Sequence, residues 1–168
     1  MARRNIFLIG FMGSGKTTVA DHLGNMFNME IAEMDQIIAK RQNMSISDIF
    51  ATHGEDYFRN LETELLIEMQ SKDGMIISCG GGTPMRDNNV EEMKKSGKIV
   101  LLKASPKTIY ERVKENHDRP LLEHNKNVPY IAELMEQRRE KYEKAADFII
   151  ETDNKDIRQI CEEIRNKL

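Results

Sequence analysis

The chain has 168 residues, with 25 Lys or Arg against 28 Asp or Glu, a net charge of -3 that excludes the basic excess of a nucleic-acid or membrane-surface binder. That length predicts one domain, residues 1–168, and its two cysteines, Cys79 and Cys161, cannot frame a disulfide scaffold. No apolar run reaches the roughly 20 residues of a bilayer span, and the one after Arg3-Arg4 is too short for a signal peptide, so a cytoplasmic protein with no nucleic-acid or membrane partner is expected; a monomer is taken as the expectation, although no residue pattern speaks to oligomeric state.

Ile6-Phe7-Leu8-Ile9 is a continuous apolar run stopped by Gly10, the pattern of a strand buried on both faces. A Gly-rich turn leads into a helical stretch from Lys16 to about Phe27, with Val19, Ala20, Leu23 and Phe27 on one stripe. Met29 to Met34 is a weaker strand, interrupted by Glu30 and Glu33. Phe58, Leu61, Leu65, Leu66 and Met69 mark a second helix, and Met75-Ile76-Ile77 and Ile99 to Leu102 repeat the strand signal. The polar stretch from Glu115 to Val128 has little periodicity and reads as a mobile loop. Ile131, Leu134, Met135 and Tyr142 mark a third helix, Phe148 to Ile150 a last strand, and Ile157, Ile160, Cys161, Ile164 and Leu168 a closing helix. Strands alternating with helices predict an α/β fold, a parallel sheet covered on both faces. Its ligands should gather at the carboxyl ends of the strands.

Gly10-Phe11-Met12-Gly13-Ser14-Gly15-Lys16-Thr17 fits G-x-x-x-x-G-K-[ST] and sits between an expected strand and an expected helix. Glycines let backbone N–H groups surround a phosphate, Lys16 reaches its outer oxygens, the Thr17 hydroxyl can ligate Mg²⁺, and the helix N-terminus adds positive potential. A nucleoside triphosphate is the expected ligand. Asn125-Lys126-Asn127 is followed by Val128 rather than the Asp of a guanine reader. The strand ending at Cys79 runs into Gly80-Gly81-Gly82 rather than the aspartate of a motor ATPase. A small-molecule kinase fits better than either.

Glu33 and Asp35 are two apart, so on a strand they share a face at the ligand edge. Asp35 could orient or deprotonate an attacking hydroxyl, and Glu33 could hold Mg²⁺ through water. The alternative is that Asp35 only caps a helix starting at Gln36. Arg59 and Glu62, three apart on a helix, can pair, either at an exposed surface or within a site. Gly80 to Gly82 could bring bare backbone to a ligand or serve as a flexible turn. Arg138 falls on the apolar stripe of its helix, i+7 from Ile131, whereas Arg139 points elsewhere. An inward guanidinium needs an anion unless it snorkels out.

Together these residues resemble shikimate kinase. The resemblance spans nearly the whole chain: the phosphate loop Gly10 to Thr18, Glu33-Met34-Asp35, Phe50 to Glu55 leading to Phe58-Arg59, Glu62, Gly80 to Gly82, Arg119-Pro120-Leu121-Leu122, and Arg138 with Tyr142. It implies a P-loop kinase with a five-stranded parallel sheet flanked by helices, a helical substrate-binding insert at about 35–62 and a lid at about 115–128. The implied reaction moves the γ-phosphoryl group of ATP to the 3-hydroxyl of shikimate, with Mg²⁺ as cofactor. ATP would lie on Gly13, Ser14, Gly15, Lys16, Thr17 and Thr18. Arg119 would act as a lid arginine over the phosphates, while Arg112 and Lys155 stand where the family contacts adenine. Asp35 would bind the acceptor hydroxyls, and Arg59, Arg138 and the Gly80 to Gly82 backbone would grip its carboxylate. Lys16, Asp35 and Arg119 would then be catalytic, with Thr17 and Glu33 at the metal.

Two positions depart from the family pattern. Glu33 stands where Asp is usual, and Glu140 where Pro often follows the clamp arginine. Competing readings are a kinase of another carboxylated polyol such as gluconate, a nucleoside monophosphate kinase, and a non-catalytic ATP-binding regulator.

Overall fold

The computed structural model describes residues 4–114 and 127–168. Five strands, β1 (Asn5–Ile9), β2 (Glu30–Glu33), β3 (Met75–Ser78), β4 (Gly97–Lys103) and β5 (Phe148–Glu151), form one parallel sheet in the order β2-β3-β1-β4-β5. The expected strands are all present, including the weak one at β2. In β1 every residue is buried. Ile6 and Leu8 pack on one side and Phe7 and Ile9 on the other, the two-sided burial that a continuous apolar run encodes.

Helix α1 (Lys16–Phe27) and the C-terminal α8 (Ile157–Lys167) cover the first face, where Val19, Leu23, Ile160 and Ile164 meet Ile6, Leu8, Val100 and Leu102. The opposite face carries α2 (Met34–Gln42), α3 (Ile46–His53), α4 (Glu55–Met69), α5 (Asp87–Ser96), α6 (Pro106–Val113) and α7 (Val128–Ala145). Helices α5 and α6 have no counterpart in the sequence reading. Each shows only a few apolar positions: Met93 in α5, and Ile109 with Val113 in α6.

Asn127 caps α7 by accepting the Tyr130 N–H at 2.9 Å, and Pro129 fits the first turn. The expected loop therefore ends one residue early, since Val128 is already helical. The rest of the expected lid, with Arg119, lies outside the described residues. Among the described residues no helix is long and apolar enough to cross a membrane.

Candidate active site

Central β1 delivers the phosphate loop to the carboxyl edge of the sheet, and α1 begins at Lys16. Gly13 and Gly15 hold φ of +80° and +97°, a left-handed conformation that only glycine adopts cheaply. Lys16 Nζ donates to the Gly10 and Phe11 carbonyls at 2.8 and 3.1 Å, which keeps its charge inside the loop. Ser14 is buried and its Oγ meets no hydrogen-bond partner. Arg112 of α6 donates to the Gly13 carbonyl at 2.9 Å.

A cleft of about 230 Å³ opens over the loop. Gly13, Gly15, Lys16, Thr17 and Thr18 form one wall, and Glu33, Asp35, Gly80 and Gly81 the other, with Arg112 also reaching it. Lys155 does not line this cleft; it follows β5 and pairs with Glu163 at 2.8 Å.

The placement of two carboxylates on one strand needs correction. Strand β2 ends at Glu33, the chain turns helical at Met34, and Asp35 stands in the first turn of α2. Nor does Asp35 cap that helix, whose N-cap is Glu33. Both carboxylates still reach the cleft, one from a strand end and one from a helix start. Burial pushes the Glu33 carboxyl above its ordinary range, against the pull of the Thr17 and Ser78 hydroxyls and Lys16. Its Oε1 is buried without a hydrogen-bond partner. Among the described residues no group of three or more His, Cys, Asp or Glu could cage a metal. The donor set fits Mg²⁺, which binds sparsely to protein and mostly to phosphate and water. Thr17 and Glu33 are the groups that would hold it.

Two buried arginines flank the glycine turn after β3, and each is 9% exposed. Arg59 of α4 donates to Glu62 at 2.7 Å and to Glu55 at 3.2 Å, with its guanidinium over the rings of Phe50 and Phe58. Glu62 is fully buried, so this pair is not the exposed one that the spacing also allowed. Its other oxygen accepts the Thr83 hydroxyl at 2.5 Å. The Thr83 carbonyl accepts from Asn89 at 2.9 Å, and Asn89 accepts the Thr63 hydroxyl at 2.6 Å. Burial raises the Glu62 carboxyl despite Arg59 and Thr83. Burial also opposes the Arg59 charge, but its two carboxylates more than offset that. Both Glu62 oxygens therefore meet a donor, one from Arg59 and one from Thr83.

Arg138 differs. Its guanidinium lies 5.8 Å from the centre of the Phe11 ring and donates to the Tyr142 hydroxyl at 3.5 Å. Among the described residues it has no carboxylate partner, whereas exposed Arg139 pairs with Glu136 and Glu143. A Cβ on Gly81 would sit 3.3 Å from Arg138 Nη1, and one on Gly82 would collide with the Arg59 guanidinium. A side chain at either glycine would press on a guanidinium, more severely at Gly82 than at Gly81.

Most of the groups expected at the carboxyl edge lie around the phosphate loop and the glycine turn after β3, whereas Lys155 and Ser14 do not line the cleft and Arg119 lies outside the described residues. The sequence reading missed Phe11, Thr83 and Asn89. Asn89 is four residues before buried Met93 on α5, and a polar side chain in register with an apolar one was the available signal.

The shikimate kinase family profile matches residues 12–168. A shikimate kinase of Sulfurihydrogenibium sp. (strain YO3AOP1) is 40% identical over 165 residues, 98% of each chain. The shikimate kinase of Acinetobacter baumannii, solved in complex with shikimate, superposes with a TM-score of 0.93 at 31% identity, covering 98% of this chain and 92% of that one. That of Aquifex aeolicus superposes with a TM-score of 0.83 at 36% identity, over 97% and 95%. The fold, the phosphate loop and these matches agree: the chain belongs to the shikimate kinase family.

Proposed function

We propose that the chain transfers the γ-phosphoryl group of ATP to the 3-hydroxyl of shikimate, giving shikimate 3-phosphate for the route to chorismate and the aromatic amino acids. One observation carries the acceptor assignment: Arg138, a buried cation with no carboxylate among the described residues, stands across a glycine turn from a phosphate loop. A buried guanidinium in that state calls for an external anion. Two arginines at one turn suit a carboxylate, which each can grip through paired N–H groups.

Phosphoryl transfer asks the protein for alignment and charge stabilisation more than covalent chemistry. Lys16, already inside the loop, meets the transferring phosphate. Asp35 orients the acceptor hydroxyl and takes its proton, from a helix start that fixes its side chain near Gly80. Mg²⁺ bound with the nucleotide would add charge neutralisation at Thr17 and, through water, Glu33. Arg119 is assigned to the lid as a cation for the phosphates, and Arg112 and, from outside the cleft, Lys155 are assigned to the adenine. Residues 35–62 form the acceptor-binding insert of a one-domain enzyme. The working unit proposed is a cytoplasmic monomer.

The test is ATP turnover measured with and without shikimate. ADP release should depend on shikimate and match formation of its phosphate ester; turnover indifferent to shikimate defeats the assignment. Asp35→Asn should lower kcat by about 10²- to 10⁴-fold, the usual scale of a proton-transfer group. A change smaller than about fivefold removes Asp35 from the chemistry.

A further inference from the structure

Arg138 needs a fixed position to read a carboxylate, yet it lacks the ion pairs that fix Arg59. Its neighbours supply a different restraint. The Tyr142 hydroxyl lies one helical turn along α7 and does two things at once. It accepts from Arg138 Nη1 at 3.5 Å and donates to the Gly81 carbonyl at 2.6 Å. Gly81 in turn passes close to Arg138 and to the Met12 N–H of the phosphate loop, which lie 3.3 and 3.4 Å from where its Cβ would be. Phe11 covers one face of the guanidinium. Tyr142 is 5% exposed, and its ring belongs to the core on that side of the sheet. Its hydroxyl is therefore placed by packing rather than by solvent.

We propose that Tyr142 is a positioning residue for the acceptor site: its hydroxyl ties the Arg138 guanidinium to the Gly81 carbonyl. Helix α7 and the glycine turn then present one preformed carboxylate pocket. The hydroxyl is neutral, so it orients the cation without cancelling its charge, which a carboxylate in the same place would do. Binding rigid groups costs less ordering than binding free ones, so the benefit falls on acceptor affinity. The inference rests on the reading of Arg138 as a carboxylate clamp.

The experiment is a double-mutant cycle on the full chain with Tyr142→Phe, Arg138→Lys and both together. KM for shikimate, KM for ATP, kcat and Tm are measured for each. Tyr142→Phe keeps the buried ring and removes only the two hydrogen bonds. It should raise KM for shikimate about tenfold, the scale of a hydrogen bond to a charged group. KM for ATP and kcat should stay within about twofold. In the Arg138→Lys background, where the planar fork is gone, the same change should add less than about twofold. An unchanged KM for shikimate overturns the inference. So does an equal rise in KM for ATP, or an equal effect in both backgrounds. Should Tyr142→Phe fail to fold, Gly81→Ala presses a methyl toward Arg138 from the other end of the same link. It must then raise KM for shikimate selectively, and a KM like that of the unsubstituted chain overturns the inference. If the unsubstituted chain itself leaves shikimate unphosphorylated, the clamp reading falls and takes this inference with it. Normal turnover with an indifferent Tyr142→Phe defeats the inference alone.

Discussion

Arg59 and Arg138 face the same glycine turn and are buried to the same degree, but they are held by different chemistry. Arg59 is locked between Glu62 and Glu55, with Glu62 anchored in turn to Thr83. Arg138 is held by an aromatic face and a phenol hydroxyl, neither of which carries charge. A cation already paired with buried carboxylate has much of its field cancelled, so its pull on an incoming anion is weak. A cation oriented by neutral groups keeps its field. The difference predicts a division of labour within the proposed clamp: Arg59 chiefly ties the frame together while keeping N–H groups for the acceptor carboxylate, and Arg138 supplies most of the attraction.

The division can be broken by truncating each arginine in turn. Arg138→Ala should raise KM for shikimate about 100-fold, since losing one member of a buried charge pair with ligand costs about 2–5 kcal/mol. Its Tm should fall by less than about 3 °C, roughly 1 kcal/mol in a chain of this size. A large Tm loss with a small KM change would reverse the roles. Arg59→Ala strands Glu62 without its cation, and breaking a buried pair costs about 3–5 kcal/mol. Calorimetry should show Tm lower by about 9–15 °C, and adding Glu62→Gln should restore part of it. Absence of any recovery would mean that the pair is not what stabilises this corner.

Smaller changes sharpen the contrast. Gly82→Ala puts a methyl into the Arg59 guanidinium, which its carboxylates prevent from yielding, and should cost about 1–3 kcal/mol of stability. Urea unfolding checks this, and a cost under about 0.5 kcal/mol would show that Arg59 yields easily. Arg139→Ala is the near-silent member of the series. It loses only exposed pairs with Glu136 and Glu143, worth under about 1 kcal/mol, so KM values and Tm should match the unsubstituted chain. A substantial KM change there would show that the stripe containing Arg138 had been assigned to the wrong face.

What could be read in advance follows from the range of the interactions involved. The phosphate loop is contiguous and its glycines are dictated by local backbone conformation, so Gly10 to Thr17 announces itself. Strands β1, β3, β4 and β5 are apolar on both faces, and their runs survive any choice of period. Arg138 was legible because one charge interrupted an otherwise apolar helical stripe. The start of α2 at Met34 was not legible: Glu33-Met34-Asp35 alternates like a strand, and only the folded backbone, extended at Glu33 and helical from Met34, shows the turn. Helices α5 and α6 present too few apolar positions to declare a period. The Glu62–Thr83–Asn89 network joins α4, the turn after β3 and α5, and the Tyr142 link joins that turn to α7. Such bonds form between segments distant in sequence, where no local pattern records them.

The buried Arg59–Glu62 pair has a consequence for descent and redesign. A lineage in which Arg59 drifts while Glu62 stays gives up the stability of a buried pair, so that wall of the pocket changes at a cost. Position 138 carries no such obligation. New acceptor preferences, whether arising by drift or introduced in the laboratory, should begin on the last turns of α7, with the opposite wall left untouched.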